Sequence, residues 1–176
     1  NLLTPVERKI LLLQKSGTHS YWRQEEAIHY DVRKPNFVII HHTAQDSIGQ
    51  TIKTFQIPRT KVSSHYVIGR NGEIIQMLND YVRSWHAGVA KWGSIVDMNS
   101  CSIGIELDNN GREPFPEAQI TSLMTVLDTL KSRYLIPTNN FIGHADIAPS
   151  RKNDPSVFFP WKKLAERGFG IWYDEG

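Results

Sequence analysis

The sequence predicts a single α/β domain in which a central mixed β-sheet is flanked by helices. Short apolar runs rich in β-branched residues, FVII at 37–40 and SIGI at 102–105, are typical of strands buried on both faces of a sheet, where parallel pairing is favoured. These runs alternate with segments of helical periodicity, as in other α/β domains. At 176 residues and 40% hydrophobic content, the chain is long enough to bury one such core.

Residues 1–34 are predicted to form an N-terminal extension packed on this domain. They are polar with scattered aromatic residues, and their only helical pattern is a short one in ERKILLLQKSG. Pro35 ends this region, so the main domain is expected over residues 35–176.

The first half of the main domain is predicted to contain a strand, a helix and a hairpin. The strand NFVIIHHTA is followed by the helix DSIGQTIKTFQ, which Asp46 or Ser47 would cap. The apolar residues at helical spacing in this segment are Ile48, Ile52 and Phe55. The hairpin SSHYVIGRNGEIIQML turns at Asn71-Gly72, a dipeptide that suits a type I′ turn.

The second half is predicted to contain a buried strand, a long helix, a short strand and a final helix. The two strands are CSIGIEL and NNFIGH. The long helix begins near Pro116, which suits a first helical turn. Its single apolar face consists of Ile120, Leu123, Met124, Leu127 and Leu130. The final helix, in FPWKKLAERGFG, is expected to stop at Gly168.

The composition excludes several classes of protein. Twenty basic and 18 acidic residues give a net charge of +2, without the basic stripe expected of a nucleic-acid-binding protein. No apolar run reaches the roughly 18 residues that predict a membrane-spanning helix. Because Cys101 is the only cysteine, an internal disulfide is excluded.

Ionisable side chains follow three of the predicted buried strands. His41 and His42 follow FVII, Glu106 ends SIGI, and His144 follows FIG. Strand ends in an α/β sheet border a shared crevice in which binding sites lie, so these side chains are expected to meet there. Asp154 lies on the loop after His144, in GHADIAPSRKNDP, a stretch that is also typical of a solvated loop.

His41, His144 and Asp154 would together supply two imidazoles and one carboxylate, a donor set that suits zinc. Three protein ligands leave a fourth position for water, as in catalytic zinc sites. Glu106 would then accept a proton from the water, and the Lys152 ammonium would stabilise a developing oxyanion. Taken singly, each of these residues is more often structural or solvated, and spacing alone does not choose between His41 and its neighbour.

Five blocks of the sequence resemble a known family. VIIHHTA, VSSHYVIGRNGEIIQML, WHAG, NSCSIGIEL and GHADIAPSRKNDP are similar to the zinc-dependent N-acetylmuramoyl-L-alanine amidases (amidase type 2). This family includes AmpD-like and AmiD-like bacterial enzymes, phage amidases and animal peptidoglycan recognition proteins. The match runs from about Asn36 to Trp172. The resemblance implies that residues 35–176 form a zinc amidase catalytic domain.

The resemblance also implies roles for individual positions. The first histidine of HHTA, His41, would bind Zn²⁺ together with His144 and Asp154. Glu106 would be the general base, and Lys152 would stabilise the transition state.

Two positions separate this chain from other branches of the family. Ser64 stands where some phage members carry a tyrosine, which fits the glutamate-dependent branch. Asp97 stands where AmpD-like members often carry an arginine, and a carboxylate there would repel a substrate carboxylate. We therefore expect cleavage of both ordinary and 1,6-anhydro muropeptides.

The substrate that the resemblance implies is the amide between the lactyl group of N-acetylmuramic acid and L-alanine, in peptidoglycan or its muropeptide fragments. We expect Trp85, His86 and Asn99 to contact this substrate, although Trp85 is also typical of a packed core residue. The function would be cell-wall degradation or recycling in bacteria.

Further expectations concern compartment and assembly. The closing FPWKKLAERGFGIW is similar to AmiD-type envelope enzymes, which favours the periplasm over the cytoplasm. We expect a monomer whose partner is peptidoglycan or a muropeptide, with no nucleic acid. The alternative function is a non-catalytic peptidoglycan-binding module of the same fold. Against it, the chain retains every residue of the catalytic set: His41, His144, Asp154, Glu106 and Lys152.

Overall fold

Five strands form one mixed sheet in the computed structural model of the protein, which describes residues 34–173. The strands are β1 (Phe37–His42), β2 (Tyr66–Ile68), β3 (Ile74–Gln76), β4 (Ser102–Leu107) and β5 (Phe141–Gly143). Their order is β3-β2-β4-β1-β5, with β3 antiparallel to β2 and the other neighbours parallel. The predicted fold class is confirmed. The extension predicted over residues 1–34 lies outside the described residues, apart from Lys34.

Helices and short 3₁₀ turns connect these strands. The helices are α1 (Ile48–Gln56), α2 (Glu117–Tyr134), α3 (His144–Ile147) and α4 (Trp161–Glu166), and the 3₁₀ turns are Pro58–Thr60, Met98–Cys101 and Thr138–Asn140. Ser47, rather than its neighbour Asp46, caps α1, because its hydroxyl accepts a hydrogen bond from the Gln50 amide at 3.2 Å. No helix within residues 34–173 combines the length and apolarity that crossing a membrane requires.

One part of the core forms between α2 and the sheet. The apolar face predicted for α2 is buried along its whole length, at Ile120, Leu123, Met124, Leu127 and Leu130. Gln119 adds two hydrogen bonds, because its Nε2 donates to the carbonyls of Ile68 and Asp108 at 3.0 and 3.1 Å. The helix is therefore fixed both to β2 and to the segment that follows β4.

The turn between β2 and β3 is not the predicted type I′ turn. That turn needs a positive φ at both central residues, whereas only Gly72, with φ of 88°, has one here. The Gly72 amide donates to the Gly69 carbonyl at 3.0 Å, which closes a turn centred on Arg70 and Asn71. Ser122 of α2 donates to the Gly72 carbonyl at 2.6 Å. A tertiary contact that the dipeptide does not reveal therefore helps to fix this loop.

Replacing Leu127 by alanine should destabilise the domain. Leu127 is completely buried, and such truncations lower the free energy of unfolding by about 2–5 kcal/mol. Val157→Ala is the control, because Val157 is 95% exposed and its truncation should change that free energy by less than about 0.5 kcal/mol. Urea unfolding measures both variants, and a Leu127→Ala protein as stable as the wild type would contradict the packing of α2.

Candidate metal centre

Three adjacent parallel strands bring the predicted site residues to one edge of the sheet. β4 pairs with β1 so that His41 lies opposite Glu106. β5 pairs with β1 so that Gly143 lies opposite Ile40, and His144 follows at once as the first residue of α3. Parallel strands end at the same edge of a sheet, which is where α/β folds place their binding sites.

Donor atoms of His41, His144 and Asp154 form a small triangle. Nδ1 of His41 lies 3.0 Å from Nδ1 of His144 and 3.0 Å from Oδ2 of Asp154. Nδ1 of His144 lies 3.2 Å from the same oxygen. All three residues are buried. The Ala145 amide donates to the Asp154 carbonyl at 2.8 Å, which holds the loop that carries Asp154 against the start of α3.

The size of this triangle fits a tetrahedral metal ion. Ligand atoms that lie about 2.0–2.2 Å from such an ion are about 3.3–3.6 Å from one another. The observed separations of 3.0–3.2 Å are close to that range. The three residues can therefore hold a metal with little rearrangement.

The hydrogen-bonding of His144 supports the same conclusion. Its Nε2 lies 2.9 Å from the Ala87 carbonyl, which can only accept a hydrogen bond, so Nε2 carries the hydrogen and Nδ1 presents a lone pair. A lone pair so close to the Asp154 carboxylate is repelled by it, and a shared cation removes that repulsion.

Burial shifts two ionisable groups of the site toward their neutral forms. It lowers the pKa of His41 to about 4, so the imidazole is neutral at neutral pH, which is the form that binds a metal. Burial also raises the pKa of Glu106 well above its ordinary value. The Asp154 carboxylate raises it further, and the Lys152 ammonium opposes the shift. Glu106 is thus more basic than a solvated glutamate.

Glu106 lies beside the triangle without being part of it. Its Oε1 is 4.0 Å from Nδ1 of His41. Its Oε2 is buried and has no hydrogen-bond partner within the described part of the chain. A buried carboxylate oxygen without a partner is costly in a folded protein unless it serves a ligand. The carboxylate is therefore placed to accept a proton next to the metal-binding atoms.

The triangle opens into a cleft of about 680 Å³. Lys152 lies on its rim and is exposed to solvent. Phe55 of α1 also lines the cleft, so this helix contributes to its wall. Val62 and Trp85 add exposed apolar surface, at 43% and 52% relative exposure.

The three residues expected to contact substrate lie in different surroundings. Trp85 lines the cleft with half of its surface exposed. His86 also lines the cleft, but it is only 8% exposed, and its Nδ1 lies 3.0 Å from Nε2 of His41. Asn99 does not line this cleft; its Oδ1 accepts hydrogen bonds from the amides of His86 and Ala87 at 3.1 and 2.8 Å. Their contacts with substrate stay predictions.

The strand geometry separates His41 from His42. Successive residues of a strand point to opposite faces of the sheet. The ring of His42 packs toward Gly111, where an added Cβ would lie 3.0 Å from its Nε2. The donor triangle is formed with His41. The structure thus brings together the three ligand residues that the resemblance implies.

The family assignment rests on a match over most of the chain. Residues 31–157 match the family described as N-acetylmuramoyl-L-alanine amidase. The chain belongs to this family.

Two curated relatives of this amidase domain come from bacteria. The N-acetylmuramoyl-L-alanine amidase AmiD of Escherichia coli K12 is 35% identical in an alignment that covers 93% of this chain and 63% of AmiD. The 1,6-anhydro-N-acetylmuramyl-L-alanine amidase AmpD of Haemophilus influenzae is 32% identical, and the match covers 89% of this chain and 96% of AmpD. The chain thus spans under two thirds of AmiD and nearly all of AmpD.

Solved structures of the family confirm the fold. The complex of E. coli AmiD with the substrate anhydro-N-acetylmuramic acid-L-Ala-D-γ-Glu-L-Lys superposes with a TM-score of 0.75 at 35% identity, and the match covers 87% of this chain and 64% of that one. AmpDh3 of Pseudomonas aeruginosa in complex with anhydromuramic pentapeptide gives a TM-score of 0.75 at 30% identity, covering 90% of this chain and 69% of that one.

Sequence reasoning missed two residues that contact the neighbours of the donor triangle. Ser102 is completely buried, and its hydroxyl lies 3.0 Å from Nε2 of His86. Arg151 donates to the same Ala87 carbonyl that contacts His144, at 2.9 Å. The signal for Ser102 was present in SIGIEL, where Ser102, Gly104 and Glu106 alternate with large apolar residues and so share one face of β4.

Replacing His41 by alanine should abolish metal binding, whereas His42→Ala should retain it. Of these two adjacent histidines, only His41 contributes a donor atom to the triangle. After equilibration with zinc and removal of unbound metal, elemental analysis should find about one ion per chain in wild-type and His42→Ala protein, as expected for a three-ligand site. It should find almost none in His41→Ala protein. Retention of the ion by His41→Ala and its loss from His42→Ala would contradict the assignment.

Proposed function

We propose that the chain is a zinc-dependent N-acetylmuramoyl-L-alanine amidase. In this proposal it hydrolyses the amide between the lactyl group of N-acetylmuramic acid and L-alanine, in peptidoglycan or its muropeptide fragments. The observation that carries the proposal is the triangle of donor atoms from His41, His144 and Asp154, with the Glu106 carboxylate beside it at the base of an open cleft.

His41, His144 and Asp154 would hold the zinc ion, because two neutral imidazoles and one carboxylate form a donor set that zinc accepts. Bound there, zinc supplies Lewis acidity, which polarises a carbonyl and lowers the pKa of water toward about 7. The protein contributes the position of the ligands and the exclusion of solvent, since all three ligand residues are buried.

Glu106 would act as the general base. Its carboxylate takes a proton from the attacking water as the water oxygen bonds to the carbonyl carbon. When the carbon–nitrogen bond breaks, the same carboxyl group returns the proton to the leaving nitrogen of L-alanine. The raised pKa of Glu106 suits both steps, because a stronger base accepts the first proton more readily and remains protonated until the second transfer.

Lys152 would stabilise the negative charge that develops on the former carbonyl oxygen. Its ammonium lies on the rim of the cleft, close enough to the site to influence the pKa of both Glu106 and His41. A cation beside a developing oxyanion lowers the barrier of acyl transfer.

The shape of the cleft supports a large substrate. It is open and about 680 Å³ in volume, and the half-exposed ring of Trp85 offers an apolar face for a sugar or a peptide. Anhydro-muropeptides are bound by the AmiD and AmpDh3 chains that this domain resembles. Cell-wall degradation or recycling is therefore the process in which we place the protein.

The competing function is peptidoglycan binding without catalysis. Incubation with intact sacculi and with anhydro-muropeptides, each with and without a chelator, separates the two functions when the products are identified by mass. Chelator-sensitive release of free stem peptides supports the amidase. Binding to sacculi without any release would support the binding module.

Compartment and assembly are further parts of the proposal. The similarity of residues 159–172 to AmiD-type envelope enzymes supports the periplasm rather than the cytoplasm. Fractionation of cells that carry the native gene tests this, and amidase confined to the cytoplasmic fraction would refute it. We also propose a monomer, which light scattering on the purified protein can test.

Replacing Glu106 by glutamine should preserve zinc binding and remove most of the activity. Glutamine keeps the shape of the side chain but cannot accept the proton, and a positioned base contributes roughly 10²–10⁴-fold to the rate. Glu117→Gln is the control, because Glu117 lies exposed at the start of α2. Zinc content and kcat are measured on the same samples, and a fully active Glu106→Gln protein would place the base elsewhere.

Ordinary and 1,6-anhydro muropeptides should both be cleaved. Asp97 replaces the arginine common in AmpD-like members, so this position offers no cation to the substrate. Its carboxylate forms an exposed ion pair with Arg83 at 2.9 Å. Competing the two substrates in one reaction gives the ratio of their kcat/KM values. A preference above about 10³ for the anhydro form would correspond to roughly 4 kcal/mol of specific recognition and would contradict this role of Asp97.

A further inference from the structure

A chain of hydrogen bonds runs from the metal-binding triangle into the protein interior. Nε2 of His41 lies 3.0 Å from Nδ1 of His86. Nε2 of His86 lies 3.0 Å from the Ser102 hydroxyl, which in turn donates to the carbonyl of Met98. All four residues are buried. The chain therefore connects a proposed metal ligand to a backbone carbonyl through buried groups.

The direction of this chain is set at its inner end. The Met98 carbonyl can only accept, so it takes the single hydrogen of the Ser102 hydroxyl. The Ser102 oxygen then faces His86 with lone pairs and accepts from its Nε2–H. A neutral imidazole has one N–H, so Nδ1 of His86 accepts, and the hydrogen of His41 lies on Nε2. Nδ1 of His41 then carries no hydrogen, and its lone pair faces Oδ2 of Asp154 and Nδ1 of His144 in the triangle, where a shared cation would be attracted to all three atoms.

His144 reaches the same state by a shorter route. Its Nε2–H donates directly to the Ala87 carbonyl, which leaves the lone pair of Nδ1 available to bind a metal ion. The groups that orient the two histidines, His86 and Ala87, are neighbours in the sequence. Asn99 binds the amides of both through its Oδ1. One side chain thus positions both orienting groups.

The packing around His86 is adapted to this arrangement. Its ring lies over Gly104 of β4, where an added Cβ would be only 2.5 Å from Cγ of His86. Gly104 and Ser102 lie on the same face of β4 as Glu106. On this face of the strand, Gly104 therefore leaves space for the His86 ring and Ser102 accepts from its Nε2–H. The proposed general base, Glu106, lies two residues beyond Gly104.

We propose that the chain His86–Ser102–Met98 carbonyl fixes the tautomer of His41 and so prepares its Nδ1 to bind the metal ion. His86, Ser102 and Asn99 are then positioning residues that act through the ligands. This inference rests on the proposed zinc site, and it differs from the expectation that His86 contacts the substrate. Mutation of residues that orient metal-binding histidines in this way typically lowers metal affinity by roughly 10- to 100-fold.

Zinc affinity measured by chelator competition tests the proposal. His86→Leu removes the acceptor for His41 while keeping an apolar side chain, and it should weaken zinc binding roughly 10- to 100-fold. His86→Asn places an amide oxygen where it can accept the same hydrogen bond, and its affinity should remain within about 3-fold of the wild type. At saturating zinc, KM should be unchanged in both variants, whereas a substrate-contacting His86 would raise it.

Ser102→Ala isolates the inner part of the chain. It should weaken zinc binding, although less than His86→Leu does. The matched control is Ser84→Ala, which removes a buried hydroxyl that lies 3.0 Å from Nδ1 of His65 and outside the chain. Ser84→Ala should leave zinc affinity unchanged. Thermal unfolding of both variants shows whether a loss of affinity merely reflects a loss of stability.

Nitrogen NMR of the histidine rings shows directly which ring nitrogen carries the hydrogen. In the metal-free wild type above pH 7, His86 should carry its hydrogen on Nε2 alone, and Ser102→Ala should convert it to a mixture of tautomers. A wild-type His86 protonated at Nδ1, or a His86→Leu protein with wild-type zinc affinity, would overturn the proposal. In either case zinc binding and amide cleavage by the wild type would leave the proposed function intact, whereas a wild type that binds no zinc would refute both.

Discussion

The parallel register of β1 with β4 and β5 is the constraint on which the metal centre depends. It sets His41 opposite Glu106 and brings His144 in beside them directly after β5. Because side chains alternate between the two faces of a strand, a slip of one residue would turn His41 away from its partners. Asp154 then needs only the short loop after α3 to complete the set, since its carbonyl is held by the Ala145 amide.

The electrostatics of the site follow from this placement. Three donor atoms converge in a buried volume, where their mutual repulsion is poorly screened and favours a bound cation. Burial keeps His41 neutral and makes Glu106 a stronger base. The exposed Lys152 lines the cleft and supplies positive charge there. The fold thus separates a buried set of potential metal ligands from an open cleft beside it.

Much of this arrangement could be predicted from the sequence because it is encoded locally. The β-branched runs predicted β1 and β4, the period of α2 predicted its buried face, and the motif resemblance selected His41 over His42. The turn at Gly72 could not be predicted, because contact with Ser122 helps to fix it. The hydrogen bonds that Ser102 and Asn99 make with His86 could not be predicted either, because they join residues that are distant in sequence.

One metal ion, held by His41, His144 and Asp154, would make this chain an amidase. Stepwise addition of zinc to metal-free protein, with amide cleavage of a muropeptide measured after each step, tests it most directly. We expect no cleavage at the start, then a linear rise in the cleavage rate and a plateau at about one equivalent of zinc, as for a single catalytic site. Full cleavage by the metal-free protein, or none after zinc has bound, would contradict it.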